Sequence, residues 1–270
     1  MEDLCNLLFE LSNEDRVEIF NRLNEEAMNI STLAKKLSLT NQECSRHISR
    51  LSTVGLIKRD DDGRYHPNLY GDLIIKQLDG IIFSTKHREY FTTHSIANLP
   101  LEFIERMGEL SGSIYAQDQM VAISRIEAMM REAEEYIWIL HDQYFMGGYS
   151  IGAEALNRGV EIRSIDPKIY NPPTQLRGEV SERDRQTINN AVANGLCKLG
   201  TLEKITIFLQ FSEKEAALIA FPKKDGKFDY LGFGSRDERV LKWCKDVFEF
   251  YWDRTETKYG SDFASPHKDI

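Results

Sequence analysis

The chain has 270 residues, of which 41% are hydrophobic and 29% charged, and its formal net charge is −9. This composition is ordinary for globular domains and excludes fibrous, collagen-like and disordered chains. The length predicts one large or two ordinary domains. The longest strongly apolar run, residues 205–211, is far shorter than the roughly 18 residues of a membrane helix. Because the N-terminus also lacks the basic start of a signal peptide, we expect a cytoplasmic protein without a membrane partner.

Positive charge is concentrated in one segment near the N-terminus. Between residues 30 and 66 there are seven basic and four acidic residues, so this segment carries +3 inside an acidic chain. An acidic total disfavours general binding to polyanions but is compatible with a local basic surface. The four cysteines form no Cys-x-x-Cys pair. We therefore predict no metal site, and no cofactor motif is present either.

The first predicted elements are two short helices. Ser12 followed by Asp15 predicts the start of one helix, and Ser31 predicts the start of the next. A tight break is expected at Ser38, directly after the second helix. Two helices joined in this way are found in many folds, so the elements that follow decide the interpretation.

A third helix and a hairpin complete the N-terminal pattern. Thr40 with Glu43 forms a capping box that predicts the start of the helix, and Gly55 predicts its end. Two short runs within residues 56–67, joined by Asp-Asp-Asp-Gly, predict a β-hairpin. This order of elements is typical of a winged helix-turn-helix, whose second helix of the pair enters the major groove of DNA.

The third helix has one apolar face and one face of basic and hydrogen-bonding side chains without an acid. Arginine suits guanine and glutamine suits adenine, so Gln42, Ser45, Arg46 and Arg50 are predicted to read bases. We expect the wing cations to contact phosphates while the acidic wing tip points away. A merely solvated helix face is the alternative. The predicted DNA-binding residues are Thr40, Asn41, Gln42, Ser45, Arg46, Ser49, Arg50, Lys58, Arg59 and Arg64.

Residues 71–90 predict a further helix whose apolar stripe is wider than one small domain can cover. It either packs against its own wing domain or joins two copies of the chain, and we expect a homodimer because such regulators read two half-sites. Residues 94–100 are predicted to form a linker.

The rest of the chain alternates helices and strands, which predicts an α/β sheet. Strands are expected at 136–140, 159–165, 204–211 and 216–221, with a hairpin turn at 223–227 and a strand ending at Phe233. Helices are expected at 120–133, 151–157, 181–193 and 236–252. The fold class is thus a two-domain α+β or α/β chain, with an N-terminal winged helix-turn-helix followed by an α/β effector domain.

No enzyme motif is present in this second domain: the nucleophile elbow, the P-loop, the full dinucleotide fingerprint and the His-x-Lys pair are all missing. Polar residues do follow two predicted strands, where α/β sheets bind ligands. We predict a ligand-sensing pocket there, although such residues commonly just finish strands and a catalytic pair is a further alternative. The predicted ligand-binding residues are His141, Tyr144, Arg163 and Asp166.

Residues 40–51 and 54–57 resemble the recognition helix and wing entry of ArsR-type winged-helix regulators. The segments 158–163, 225–229 and 243–252 resemble the sensor domain of archaeal methanogenesis regulatory proteins. The resemblance implies a cytoplasmic archaeal transcription regulator whose effector domain is distantly similar to a phospholipase D half domain without its catalytic motif. The metal-sensing cysteines of some ArsR relatives have no match in this sequence.

The domain boundaries we predict are 1–70 for the winged helix-turn-helix, 71–98 for the helical linker and dimerisation element, and 99–270 for the effector domain. The predicted function is a homodimeric, sequence-specific transcription regulator of double-stranded DNA, modulated by a small-molecule effector or a partner, and not an enzyme. The alternatives are a winged-helix protein-interaction module and a nucleic-acid-directed hydrolase.

Overall fold

The computed structural model describes residues 1–143, 145, 147–168 and 180–258. Contacts divide the chain into two compact units, Met1–Ile81 and Ile82–Ile270, and each has its own hydrophobic core. None of the helices in the described ranges is long and apolar enough to cross a membrane.

The first unit is helical with one small hairpin. Its elements are α1 (Glu2–Leu11), α2 (Glu14–Glu25), α3 (Ile30–Leu37), α4 (Asn41–Thr53), β1 (Ile57–Arg59), β2 (Tyr65–Pro67) and the start of α5 (Leu69–Lys86). Strands β1 and β2 pair antiparallel. Fully buried Phe20, Leu33 and Leu51 bring α2, α3 and α4 around one core. Three helices followed by a two-stranded wing confirm the predicted winged helix-turn-helix architecture.

Two predicted helix starts are wrong. Ser12 ends α1, where its hydroxyl donates back to the Phe9 carbonyl, and the N-cap of α2 is Asn13. Helix α3 is likewise capped by Asn29, whose side chain accepts from the Thr32 backbone N–H. Asparagine is as good an N-cap as serine, so the capping preference alone does not choose between neighbouring Asn and Ser residues.

The second unit is built on a mixed eight-stranded sheet. Its helical elements are α6 (Arg88–Thr93), α7 (Leu101–Ile104), a 3₁₀ turn (Met107–Gly112), α8 (Gln119–Glu132), α9 (Gly148–Asn157), α10 (Glu182–Ala193) and α11 (Glu238–Trp252). Its strands are β3 (Ile114–Ala116), β4 (Tyr136–Leu140), β5 (Glu161–Pro167), β6 (Cys197–Leu202), β7 (Phe208–Ser212), β8 (Ala216–Ala220), β9 (Gly232–Ser235) and β10 (Glu256–Lys258). The strand order is β10-β6-β5-β4-β7-β8-β9-β3.

Strands β4, β5 and β6 are parallel neighbours, and the other pairings are antiparallel. Helices α8, α9 and α10 cover one face of the sheet and α11 covers the other. The predicted α/β class is therefore confirmed. Residues 94–100 are not a free linker, because His94 is buried in this unit and pairs with Asp229, their Nε2 and Oδ1 atoms 3.2 Å apart.

Candidate nucleic-acid interface and a polar pair in the second unit

The start of α4 is fixed by its own side chains. Ser38 ends α3 in the left-handed conformation, with φ of 58°, and turns the chain toward α4. The Thr40 hydroxyl accepts from the Glu43 backbone N–H at 3.2 Å, and the Glu43 carboxylate accepts from the Thr40 N–H at 2.9 Å. The Thr40 hydroxyl also donates to that carboxylate, and these hydrogen bonds lower the pKa of Glu43. The predicted capping box is thus present and keeps Glu43 occupied at the helix start.

Helix α4 has the two faces that the sequence predicts. Cys44, Ile48 and Leu51 are buried in the core of the first unit. The opposite face is exposed and borders an open concavity of about 590 Å³. The residues that line this concavity are Glu10, Gln42, Ser45, Arg46, Ser49, Arg50 and Thr53. The structure therefore brings together all four predicted base-reading residues, and Ser49, on one surface.

Glu10 is a member of this surface that sequence reasoning missed. It lies on α1, is only 8% exposed, and accepts from Arg50 Nη1 through Oε1 at 2.9 Å. Its second oxygen, Oε2, lies 3.4 Å from Arg16 Nε. Glu10 and Arg50 are far apart along the chain, so no local motif links them. The α4 face carries no acid of its own, but the fold places one against it.

The wing cations differ in their surroundings. Arg64 is held by the acidic tip, with Nε 3.2 Å from Asp60 and Nη2 2.8 Å from Asp62. Hydrogen bonds from Arg64, its backbone N–H foremost, lower the pKa of Asp60. Lys58 and Arg59 are exposed on β1. The acidic tip thus pairs with Arg64, one of the three cations predicted to hold phosphates. Exposed ion pairs of this kind are weak, so Arg64 can leave the tip for a phosphate.

In the second unit, two predicted ligand-binding residues meet. His141 follows β4, Asp166 lies near the end of β5, and His141 Nε2 is 3.1 Å from Asp166 Oδ1. Ser164 donates to the same oxygen at 3.0 Å. All three side chains are buried. The parallel pairing of β4 with β5 explains the meeting, because it places the carboxyl ends of both strands at one edge.

Arg163 does not join this pair. Side chains alternate across a strand, so Arg163 points to the face opposite Ser164. There its guanidinium lies 4.7 Å from the Trp138 ring centroid and donates to Glu161 at 2.8 Å. Tyr144, the fourth predicted residue, lies outside the described residues. The ligand-binding role of the four residues remains a prediction.

Within the described ranges, no group of three or more His, Cys, Asp or Glu side chains is arranged to hold a metal ion. The buried cysteines are uncharged thiols: burial raises the pKa of Cys197 to about 12 and that of Cys244 further still. The His141–Asp166 pair is therefore a two-residue arrangement supported by one serine.

Among solved structures, three have low similarity to this chain over more than half of its length. TrmBL2, an archaeal chromatin protein described as showing a novel mode of DNA binding, is 15% identical over 91% of this chain and 94% of its own, with a TM-score of 0.41. Nuc, a phospholipase D family member from Salmonella typhimurium, is 10% identical over 55% of this chain and 97% of its own, with a TM-score of 0.36. NucT from Helicobacter pylori is 10% identical over 54% of this chain and 97% of its own, with a TM-score of 0.39. At these values the three structures assign no function to this chain.

No curated protein matches the chain. A family model described as a helix-turn-helix domain matches residues 11–60, which run from the end of α1 through α2, α3 and α4 to the end of β1. Sequence pattern, structure and family model agree on this segment: residues 11–60 form a helix-turn-helix domain.

Proposed function

We propose that the protein is a sequence-specific, DNA-binding transcription regulator. The observation that carries this proposal is the surface of α4, where Gln42, Ser45, Arg46, Ser49 and Arg50 line one open concavity. These side chains supply the donors and acceptors that base edges in the major groove recognise. Exposed Lys58 and Arg59 on the wing are proposed to contact phosphates, which position a protein on the duplex.

The proposal includes a homodimer. Helix α1 exposes Leu4, Leu8 and Phe9, and the beginning of α5 exposes Leu69 and Leu73. Exposed apolar side chains clustered on helices are typical of protein interfaces. A second copy of the chain is the partner that the reading of two DNA half-sites requires. An archaeal origin, an ArsR-like ancestry and a cytoplasmic location belong to the same proposal.

We further propose that the second unit senses a small molecule, with His141 and Asp166 in its binding region, and that it is not an enzyme. The pair resides on strand ends of a sheet, where open α/β sheets bind ligands. Effector binding would change DNA affinity through a coupling free energy of about 1–3 kcal/mol.

Fluorescence anisotropy tests the central part of the proposal. The full chain is titrated into labelled fragments of the DNA upstream of its own gene at several salt concentrations. We expect binding that weakens as salt rises, because phosphate contacts release counterions. The Arg46→Ala/Arg50→Ala variant should lose most of this binding, about 1–3 kcal/mol for each lost base contact. Binding without a salt slope would instead favour a protein-interaction module.

A further inference from the structure

A small cavity lies inside the second unit, between the sheet and the helices α8, α9 and α10. Its volume is about 70 Å³. A single water needs roughly 10–15 Å³ of such space, so the cavity has room for a compact molecule. Its walls are mostly apolar, and they include Met130, Ile139, Leu156, Ile162 and Ile188.

One polar side chain in this cavity is nearly without partners. Gln210 on β7 is only 3% exposed. Its Nε2 donates to the Met130 sulfur at 3.4 Å, and a thioether is a weak acceptor. Within the described part of the chain, the Gln210 Oε1 atom accepts no hydrogen bond. Because the Gln210 side chain is buried and lines the cavity, its amide oxygen is available to accept a hydrogen bond from a molecule bound there.

Two other polar side chains at the cavity are already engaged with Asp166. Ser164 and His141 both line it, and both hydrogen-bond to Asp166. The Cys197 thiol is uncharged, because burial raises its pKa to about 12. Among the described residues, no lysine, arginine, aspartate or glutamate lines the cavity. An ionised ligand would lose its hydration without gaining a counter-charge, so the cavity selects against phosphates and carboxylates.

We propose that this cavity is the effector site and that it takes an uncharged, mainly apolar molecule smaller than benzene whose N–H or O–H group donates to Gln210 Oε1. The size limit follows from the cavity, since its volume of about 70 Å³ is about half that of an engineered apolar cavity, about 150 Å³, that holds benzene. The regulatory role of the bound molecule rests on the proposed function, whereas its binding to the cavity does not.

Three probes of similar size test separately whether the ligand needs a hydrogen-bond donor and whether it must be uncharged. Pyrrole is a neutral ring with an N–H donor, furan is its isostere without the donor, and propionate is an anion of the same number of heavy atoms. Each is titrated into the full chain with ¹³C-labelled isoleucine methyl groups, because Ile139, Ile162 and Ile188 all line the cavity. We expect pyrrole to shift these three signals, furan to bind about tenfold more weakly, and propionate to have no effect.

Two variants test the assignment to Gln210 and to the cavity. Gln210→Leu should abolish the preference for pyrrole over furan, whereas the matched change Gln186→Leu, at an exposed position on α10, should preserve it. Gly152→Leu should abolish pyrrole binding by filling the space, because a Cβ there already lies 3.8 Å from Ile162 and Met130 side-chain atoms. Methyl spectra of the variants report whether the unit is folded.

Equal binding of pyrrole and furan by the wild type, an unchanged preference in Gln210→Leu, or isoleucine shifts with propionate would each overturn the proposal. Absence of any pyrrole shift in the folded wild type would overturn it as well. Failure of the DNA experiment would leave these shifts in place, so the two proposals fail separately. Pyrrole binding that leaves DNA affinity unchanged would overturn the effector role.

Discussion

Two concave regions among the described residues differ in volume and in the polarity of their lining. The α4 concavity is lined entirely by charged and polar side chains, while the smaller cavity of the second unit is lined mostly by apolar side chains with a few polar groups. Exposed cations keep their hydration until a polyanion approaches, which suits a salt-dependent partner such as DNA. A desolvated cavity penalises charge and selects for shape and one hydrogen bond. The lining of each site, rather than its fold, indicates the class of ligand.

The largest effect should come from a core substitution that unfolds the first unit and leaves the second unit folded. Phe20→Ala removes a fully buried ring from the first unit and should lower its free energy of unfolding by about 3–5 kcal/mol. DNA binding should then be lost, while pyrrole still shifts the isoleucine signals of the second unit, because the units have separate cores. Urea unfolding followed by the methyl spectrum measures both. Loss of both functions together would contradict the comparison.

The next effect concerns the single acid of the α4 concavity. Glu10 holds Arg50 Nη1, which leaves the Nε and Nη2 donors of the guanidinium for a bidentate contact. Glu10→Met should remove this support and reduce the preference for the best DNA sequence over a scrambled one about tenfold, the loss of roughly one base contact. Anisotropy on the two duplexes measures the ratio.

Glu25→Met is the matched control, because this substitution removes the same charge. Glu25 pairs with Arg22 on an exposed part of α2. It should change affinity for both duplexes equally. If Glu10→Met behaves like this control, Glu10 acts only as a repulsive charge and does not position Arg50.

A smaller effect is expected at the start of α4. Thr40→Ala breaks the capping box and should cost about 1 kcal/mol in the free energy of unfolding of the first unit. Thr32→Ala, at an exposed position within α3, should change it by less than about 0.5 kcal/mol. Chemical denaturation of both variants measures the difference, and equal costs would show that the cap does not fix α4.

The smallest effect is a pH dependence of the second unit. Burial lowers the pKa of His87 below its usual 6.5, and its Nε2 is buried without a hydrogen-bond partner within the described residues. The unfolded chain therefore binds a proton more readily, so stability is complete above pH 6.5 and declines as the pH falls toward the folded-state value. Unfolding free energies at pH 7.5 and 5.5 should show a smaller decline in His87→Leu than in the wild type. An identical decline in both would assign the effect to other groups.

Much of the fold is predictable from local pattern. The strand at 136–140 matches β4 at both ends, and the helix at 181–193 matches α10 with Ser181 as its cap, because hydrophobic periodicity and capping residues are local signals. Helix α1 and strand β6 are among the elements that the local pattern does not predict. The first combines apolar and acidic residues without a cap hydrogen bond, and the second, Cys197–Leu202, contains a glycine and a lysine.

The candidate sites are less predictable, since they depend on contacts between distant segments. The α4 surface follows from helical periodicity, whereas the Glu10–Arg50 contact does not. His141 and Asp166 meet because two strands are parallel neighbours, and Arg163 is excluded by the alternation of side chains along β5. Alternation is a property of any strand, and it places residues 163 and 166 on opposite faces of the sheet. The buried Gln210 side chain at the cavity wall has no sequence signal.

Selection from a library of random double-stranded DNA sequences tests the central claim most directly. The full chain and its Arg46→Ala/Arg50→Ala variant each select from the same library, and the enriched duplexes are sequenced. The account predicts that the wild type enriches two related half-sites about one helical turn apart, containing guanine, and that the variant loses the preference at those positions. Enrichment of no sequence by the folded wild type, or the same sequence enriched by both proteins, would contradict the assignment of α4 as the base-reading helix.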